Sequence, residues 1–496
     1  MSTITTGARG DGETAAVRLA RGESVGAVLP GDDPGAWIAL DAGVRQSVWY
    51  ADDGVWLHPW AVTEGGRALL ATVRRNRAGG LTAVLRRAQP LTASQLALAL
   101  CHGDGRIRQT ALDGVADHPG LLPLVVVRCS DWVPQVREAA RRRLAEALDA
   151  RTAVRLMPLV LRIGRRGRGD FATALADRLL RTAPPGLLAP LYSDPDRAVR
   201  RYAYRLAVEE RLLSPLELAR AATRDSDTVV QSLCADAALA AVTDDEAHDD
   251  VLDALLGARN PRVRAAGVTA LRRAGRTERA VGFLADRAAV VRACARYVVR
   301  QGGSDPLPWY RERCADPRGL PPGAVIGLAE CGERADAEVL WALLGHPAAG
   351  VRARAVAGLR TLDVTDVRRL RPLLDDPAPA VVREVTAALL PSAGAVSEEE
   401  LTERLGHAWP RQVRVAALRL LDARGGIVRL RAAVTALDDP DERIRTWARQ
   451  SVQGWHAGGD VPREAAAEVG GLLDRARHLF SAYALRQRKW EAGVPV

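Results

Sequence analysis

Eight histidines are the first place to look for acid–base or metal chemistry: His58, His102, His118, His248, His346, His407, His456 and His478. None stands in HExxH or HxH, the spacings that set two imidazoles side by side around a metal. The six cysteines, Cys101, Cys129, Cys234, Cys294, Cys314 and Cys331, contain no CxxC pair. A zinc ribbon or thioredoxin-type site therefore has no support. There is no GxxxxGK[ST] and no GxSxG, and no GxGxxG follows a strand pattern. The only lysine is Lys489, which removes a phosphate-loop or Schiff-base lysine from the rest of the chain. The expectation is a protein with no catalytic residues, no cofactor and no metal.

What remains is cationic. Lys and Arg together number 70 against 60 acids, a formal net charge of +10 in 496 residues. All but Lys489 are arginine. A basic balance raises nucleic acid or an anionic membrane as a partner. The near-total use of Arg over Lys, beside abundant Ala, Gly and Val, reads instead as codon composition, so position must decide. Nothing approaches the run of about 18 uncharged apolar residues that spans a membrane. The opening MSTITTGARGDGET lacks the apolar stretch of a secretory signal. Thiols lying inside helical patterns behave as small apolar groups and fit a reducing compartment. A cytoplasmic protein is expected.

The elements that must position these arginines repeat. Val or Ile, then Arg, two variable residues, a small residue, three variable and an apolar residue recur along the chain. The nonad starts at Ile107, Val136, Val199, Val230, Val263, Val291, Val351, Val382, Val413 and Ile444. Degenerate copies at Gly167 and Pro321 fill the two double-length gaps. Positions 1, 5 and 9 lie on one helical face. Alanine at position 5 admits a close neighbour. Asp-Pro turns precede several copies, with Asp suited to the cap and Pro to the first helical turn. A second apolar helix lies upstream, as in Glu338–Gly345. Each unit of about 31 residues is thus a helix–turn–helix that must stack to bury its apolar face.

The Asp-Pro turn followed by Val-Arg-x-x-Ala-x-x-x-Leu resembles the HEAT repeat family, in its short form found in phycobilisome-lyase-type proteins. The resemblance covers about three-quarters of the chain. It implies an all-α, right-handed α-solenoid (superhelix) of about 12–14 helix-turn-helix repeats. It also implies a structural role for the Arg at position 2, which in such families reaches the Asp of a repeat turn. The expected ladder comprises Arg137, Arg200, Arg264, Arg292, Arg352, Arg383, Arg414 and Arg445 with Asp131, Asp194, Asp316, Asp376 and Asp439. Arg108 and Arg168 occupy the same position in their units.

Positions 3, 7 and 10 of the second helix approximate a concave stripe. They carry Arg142, Arg201, Arg205, Arg272, Arg300, Arg360 and Arg419 as candidate partner contacts. Six acids share the stripe: Asp113, Glu138, Asp236, Glu330, Glu384 and Asp422. A phosphate-tracking groove should be decidedly positive along its length, and this one is nearly balanced. A local patch around Arg141, Arg142, Arg143, Arg165, Arg166, Arg168, Arg200, Arg201 and Arg205 could hold an acidic partner or a short stretch of nucleic-acid backbone.

Four divisions are expected: a flexible N-terminus over 1–30, an aromatic-rich cap or atypical repeats over 31–90, the solenoid over 91–455 and a helical cap over 456–496. Trp37, Trp49, Trp56 and Trp60 mark the second division as a cap or a docking surface. Its YADDGVW also reads as a turn between two short strands. The function expected is a non-catalytic scaffold whose partner is a protein or extended peptide, with no membrane. A HEAT-like DNA-binding protein or alkylpurine DNA glycosylase is the alternative, with Trp132, Trp309, Trp341, Trp409 and Trp447 as its aromatic candidates. A lyase or chaperone for a bilin-type chromophore is a further analogy. The paired His-Glu motifs of HEAT-like deoxyhypusine hydroxylases are absent from this sequence.

Overall fold

The computed structural model describes residues 15–29, 33–46, 49–50, 56–57, 91–242, 245–457 and 463–494. They form two compact units, Met1–Ala241 and Val242–Val496. Both consist of helical hairpins. The one exception among the described residues is a two-residue antiparallel ladder, β1 (Trp49–Tyr50) on β2 (Trp56–Leu57), with Trp49 opposite Leu57. It falls where YADDGVW reads as joining strands. Trp60 lies outside the described residues.

Unit 1 begins with α1 (Ala15–Ala20), α2 (Val25–Val28) and α3 (Pro34–Gln46). Hairpins follow: α4 (Ala93–Leu100) with α5 (Gly105–Asp113), α6 (Leu122–Arg128) with α7 (Pro134–Ala147), and α8 (Ala150–Gly164) with α9 (Asp170–Arg181). Then come α10 (Ala189–Tyr192) with α11 (Arg197–Glu209) and α12 (Pro215–Arg224) with α13 (Thr228–Ala241). Unit 2 opens with α14 (Asp245–Leu256) and α15 (Pro261–Ala270). A 3-10 segment, Thr277–Phe283, precedes α16 (Ala289–Gln301). The series continues with α17 (Pro306–Ala315) and α18 (Pro322–Cys331), α19 (Ala337–Ala342) and α20 (Ala349–Thr361), and α21 (Val367–Leu370) and α22 (Pro379–Leu389). It closes with α23 (Glu398–Glu403) and α24 (Arg411–Ala423), α25 (Gly426–Thr435) and α26 (Glu442–Gln453), then α27 (Ala466–Arg475) and α28 (Ala482–Glu491). The fold class is an all-α solenoid of HEAT-like hairpins.

The sequence period explains the stacking. In α7 the residues at positions 1, 5 and 9, Val136, Ala140 and Leu144, are fully buried, as are Val351, Ala355 and Leu359 in α20. Each buried Val or Leu contributes about 1.5–3 kcal/mol. The intervening alanine lets second helices lie against one another, as α5 does on α7 and α20 on α22. The degenerate unit at Pro321 uses glycine for the same end. A Cβ on Gly323 would strike the backbone of Ala285, and one on Gly327 would strike the ring of Tyr310.

Three expectations need correction. Residues 15–29, placed in a flexible N-terminus, form α1 and α2. Ala16, Leu19 and Ala20 form an apolar face at helical spacing, and α1 packs on α4. The nonad assigned to Val382 is displaced by one residue. Val381, Val385 and Leu389 are the fully buried face of α22, so position 2 is Val382, and Arg383 points out with a side chain 65% exposed. The copy at Gly167 is displaced by five residues. Ala172, Ala176 and Leu180 are buried, and Arg168 is exposed in the turn before α9.

Candidate functional site

Two arginine systems emerge. The first belongs to the turns. Arg108 donates through Nε and Nη2 to both oxygens of Asp131, at 2.9 and 2.8 Å, reaching the turn of the following hairpin. Four more arginines form the same fork: Arg200 with Asp225, Arg264 with Asp286, Arg352 with Asp376, and Arg414 with Asp439. Their distances are 2.8–3.2 Å. The remaining nitrogen, Nη1, donates to the carbonyl six residues upstream, in the arginine's own turn. Arg108 reaches His102, Arg137 reaches Asp131, Arg200 reaches Asp194, Arg264 reaches Ala258, Arg292 reaches Asp286, Arg352 reaches His346 and Arg445 reaches Asp439. Arg414 takes the carbonyl of Trp409, five upstream. Gln231 stands in the same place and donates to the carbonyl of Asp225.

A turn aspartate such as Asp131 therefore makes three kinds of contact. Its carboxylate takes the preceding hairpin's guanidinium, its Oδ1 accepts the N–H of Val133 at 2.9 Å, and its carbonyl accepts Arg137. Burial raises the Asp131 pKa, but the Arg108 bonds and the Val133 N–H outweigh it and carry the net shift downward. His102 fills the corresponding place in its turn, its Nδ1 accepting the N–H of Asp104 at 2.8 Å. His346 does the same for Ala348. Burial pushes the His102 pKa down to about 4.

The ladder predicted from sequence is thus redistributed. Asp194 offers its carbonyl to Arg200, while its carboxylate accepts the N–H of Asp196. Asp316 is exposed and accepts the N–H of Arg318, with no ladder arginine upon it. The turn between α17 and α18 is long, and Gly319 within it has φ +62°. Arg292, whose spacing points to Asp316, instead binds Glu330 near the end of α18, as does Arg296. Glu330 therefore leaves the stripe. Arg383 has only its neighbour Glu384 at 3.4 Å. The sequence reading missed Asp225 and Asp286. Both lie six residues before position 2 of their units, and that interval was the available signal.

At the N-terminal side this system extends into the core. Arg128, 1% exposed, bonds both Asp131 and Asp41 of α3, and Arg45 reaches Asp41 from the next turn of the same helix. Three guanidiniums meet two carboxylates. Burial and then the nearby Arg128 lower the Arg45 pKa. Trp37 on α3 is 3% exposed and belongs to the same core.

The second arginine system is open. A cleft of about 730 Å³ lies between α9 and α11 in unit 1. Leu161, Ala174 and Leu206 contribute apolar surface, and Arg165, Arg201 and Arg205 contribute cations. Arg201 is already forked onto Asp227. Arg181, also in the wall, is held by Asp177, Glu209 and Glu210. Arg165 and Arg205 are exposed and carry no carboxylate, nor do the exposed Arg142 and Arg168. Arg141 is taken by the carbonyls of Cys129 and Arg168 and lies over Phe171. Arg143 pairs with Glu146, and Arg166 reaches Ser130 at 3.4 Å. The broad basic patch reduces to Arg142, Arg165, Arg168 and Arg205.

In unit 2 the stripe arginines are all exposed, yet some are engaged. Arg272 donates to the Tyr297 hydroxyl at 2.7 Å and Arg360 lies 3.8 Å from Glu384, while Arg300 and Arg419 stand in solvent. The tryptophans proposed for a base-reading site each have their own surroundings. Trp132 is 59% exposed beside Arg108 in unit 1. In unit 2, Trp309 packs edge-on to Tyr310, Trp341 lies under Arg369 and Trp409 under Arg404. Trp447 is half-buried on α26.

No family model matches this chain, and no curated protein matches it. Among solved structures it is similar to importin beta crystallised in an ammonium sulfate condition. That chain is 13% identical, with 97% of this chain and 68% of that one covered, at a TM-score of 0.31. It is also similar to an engineered protein, 16% identical, with 80% of this chain and 97% of that one covered, at a TM-score of 0.17. Likenesses at those scores carry no argument about what the chain binds.

Proposed function

We propose that this chain is a non-catalytic scaffold that holds a protein or extended peptide in a groove between stacked helices. The observation that carries the reading is the cleft between α9 and α11. It combines an apolar surface with cations that have no internal partner, the two ingredients of a binding groove. The buried arginine forks suit the same role. Each ties one hairpin to the turn of the next through fixed bidentate geometry, and a rigid groove loses little entropy on binding. In this reading the repeats are short HEAT-like units of the phycobilisome-lyase type and the protein works in the cytoplasm. The α1–α3 segment, with Trp37 in the core, acts as the N-terminal cap. The α27–α28 pair closes the other end.

A photo-crosslinking residue at Ala174 tests this. Illumination in the native host is expected to give a discrete adduct with another polypeptide, absent when the probe replaces the exposed Arg383. Adducts of equal yield at both positions would remove the groove from the reading. Release of an alkylated base from duplex DNA by the purified chain would replace it with the glycosylase alternative.

A further inference from the structure

Position 7 of the second helices in unit 1 is, in order along the stack, Asp113 on α5, Arg142 on α7, Arg178 on α9, Arg205 on α11 and Asp236 on α13. All five are exposed. The row is acid, three cations, acid. Arg142, Arg178 and Arg205 are free of carboxylates, and the small Ala174, one turn before Arg178, lines the cleft, with Arg165 at its rim. From this we infer that the row is a bounded docking site for a short acidic polypeptide segment. The inference rests on the groove reading above and specifies its occupant.

Length and charge both select that occupant. Neighbouring helices stand about 8–10 Å apart, so Arg142 and Arg205 are separated by roughly 20 Å. An extended chain covers this in about six residues at roughly 3.3 Å each. Asp236 repels anything anionic that runs past Arg205, and Asp113, partly offset by Arg143 at 3.9 Å, does so more weakly past Arg142. A nucleic-acid strand, with phosphates continuing past both ends, meets those carboxylates. A short run of Asp or Glu ends before them. Asp170 is the one open acid at the cleft itself, and it lies 3.7 Å from Arg141, which offsets it.

The test uses the full chain and fluorescein-labelled hexaglutamate, with anisotropy as the readout. Hexaglutamate is expected to bind, and Arg205→Glu or Arg165→Glu to weaken it by roughly 10-fold or more. Arg419→Glu, an equally exposed change in unit 2, is expected to leave binding within about 2-fold. Dodecaglutamate should gain little over hexaglutamate, because the row is bounded. Equal losses from Arg205→Glu and Arg419→Glu would make the attraction a net-charge effect and overturn the inference. So would a thymidine dodecamer that binds more tightly than hexaglutamate in an Arg205-dependent way. If the Ala174 crosslink captures a partner whose adducted segment is neutral or basic, the groove stands and the acidic specificity falls. If hexaglutamate binds as described but no Ala174 adduct forms in the host, the site stands and the scaffold reading falls.

Discussion

Arg108 and Arg205 sit on the second helices of their hairpins in unit 1, at positions 2 and 7 of the same nonad, and they do opposite things. Position 2 aims the guanidinium back over the helix start, where a carbonyl and the next hairpin's aspartate converge on it. Arg108 is accordingly buried completely. Position 7 lies away from every turn, and Arg205 keeps its charge in solvent. Residue type is therefore uninformative in this protein, and the angular place on the helix decides whether an arginine holds the fold or faces a partner.

The sharpest way to break that comparison is to remove the shared acid of the buried system. Asp131→Ala leaves Arg108 and Arg128 without that carboxylate in the core, which is expected to cost about 3–5 kcal/mol. Urea unfolding of the full chain, followed by circular dichroism, measures it. A loss below about 1 kcal/mol would mean the turn arginines are decorative.

Acid should act in the same place. His102 is neutral in the fold, with its pKa pushed down to about 4 by burial, then eased upward by Asp104 and lowered again by Arg108. The unfolded chain takes up the proton first, near pH 6.5. Stability is therefore intact above about pH 6.5 and declines as pH falls toward 4, by about 3 kcal/mol at most. His102→Asn keeps an acceptor for the Asp104 N–H without a titrating group. A melting-temperature profile between pH 7 and pH 4 should flatten in the variant. Parallel profiles for the two proteins would clear His102 of the effect.

A double-mutant cycle sharpens the comparison further. Arg352→Met and Asp376→Leu each strand the other's charge and should each cost about 2–4 kcal/mol, whereas the double variant should cost clearly less than their sum, with a coupling of about 1–3 kcal/mol. Strict additivity would show that Arg352 and Asp376 do not act as a pair. At the far end, Arg205→Gln should change stability by no more than about 0.5 kcal/mol. A larger loss would place Arg205 among the structural arginines.

Much of the fold was legible because its signals are local. A helix face recurring at Val136, Ala140 and Leu144 needs only the 3.6-residue period to be read, whereas the Asp-Pro turns misplace the caps, which at α11 and α26 are Asp196 and Asp441, two residues beyond the Asp-Pro aspartates. Reading failed by one residue at α22 and by five at α9, where valines or glycines crowd the start of the unit and several registers fit the pattern. It failed again at Arg292, because the fork joins hairpins and the choice between Asp316 and Glu330 depends on how a long turn folds.

By itself the sequence determined the repeat and its helical faces, since both are consequences of spacing within about 31 residues. Only the tertiary structure decided which carboxylate each arginine takes, which of the basic patch's arginines remain unpaired, and that a cleft opens between α9 and α11. Those outcomes depend on contacts between hairpins, and the period of a single hairpin carries no record of them.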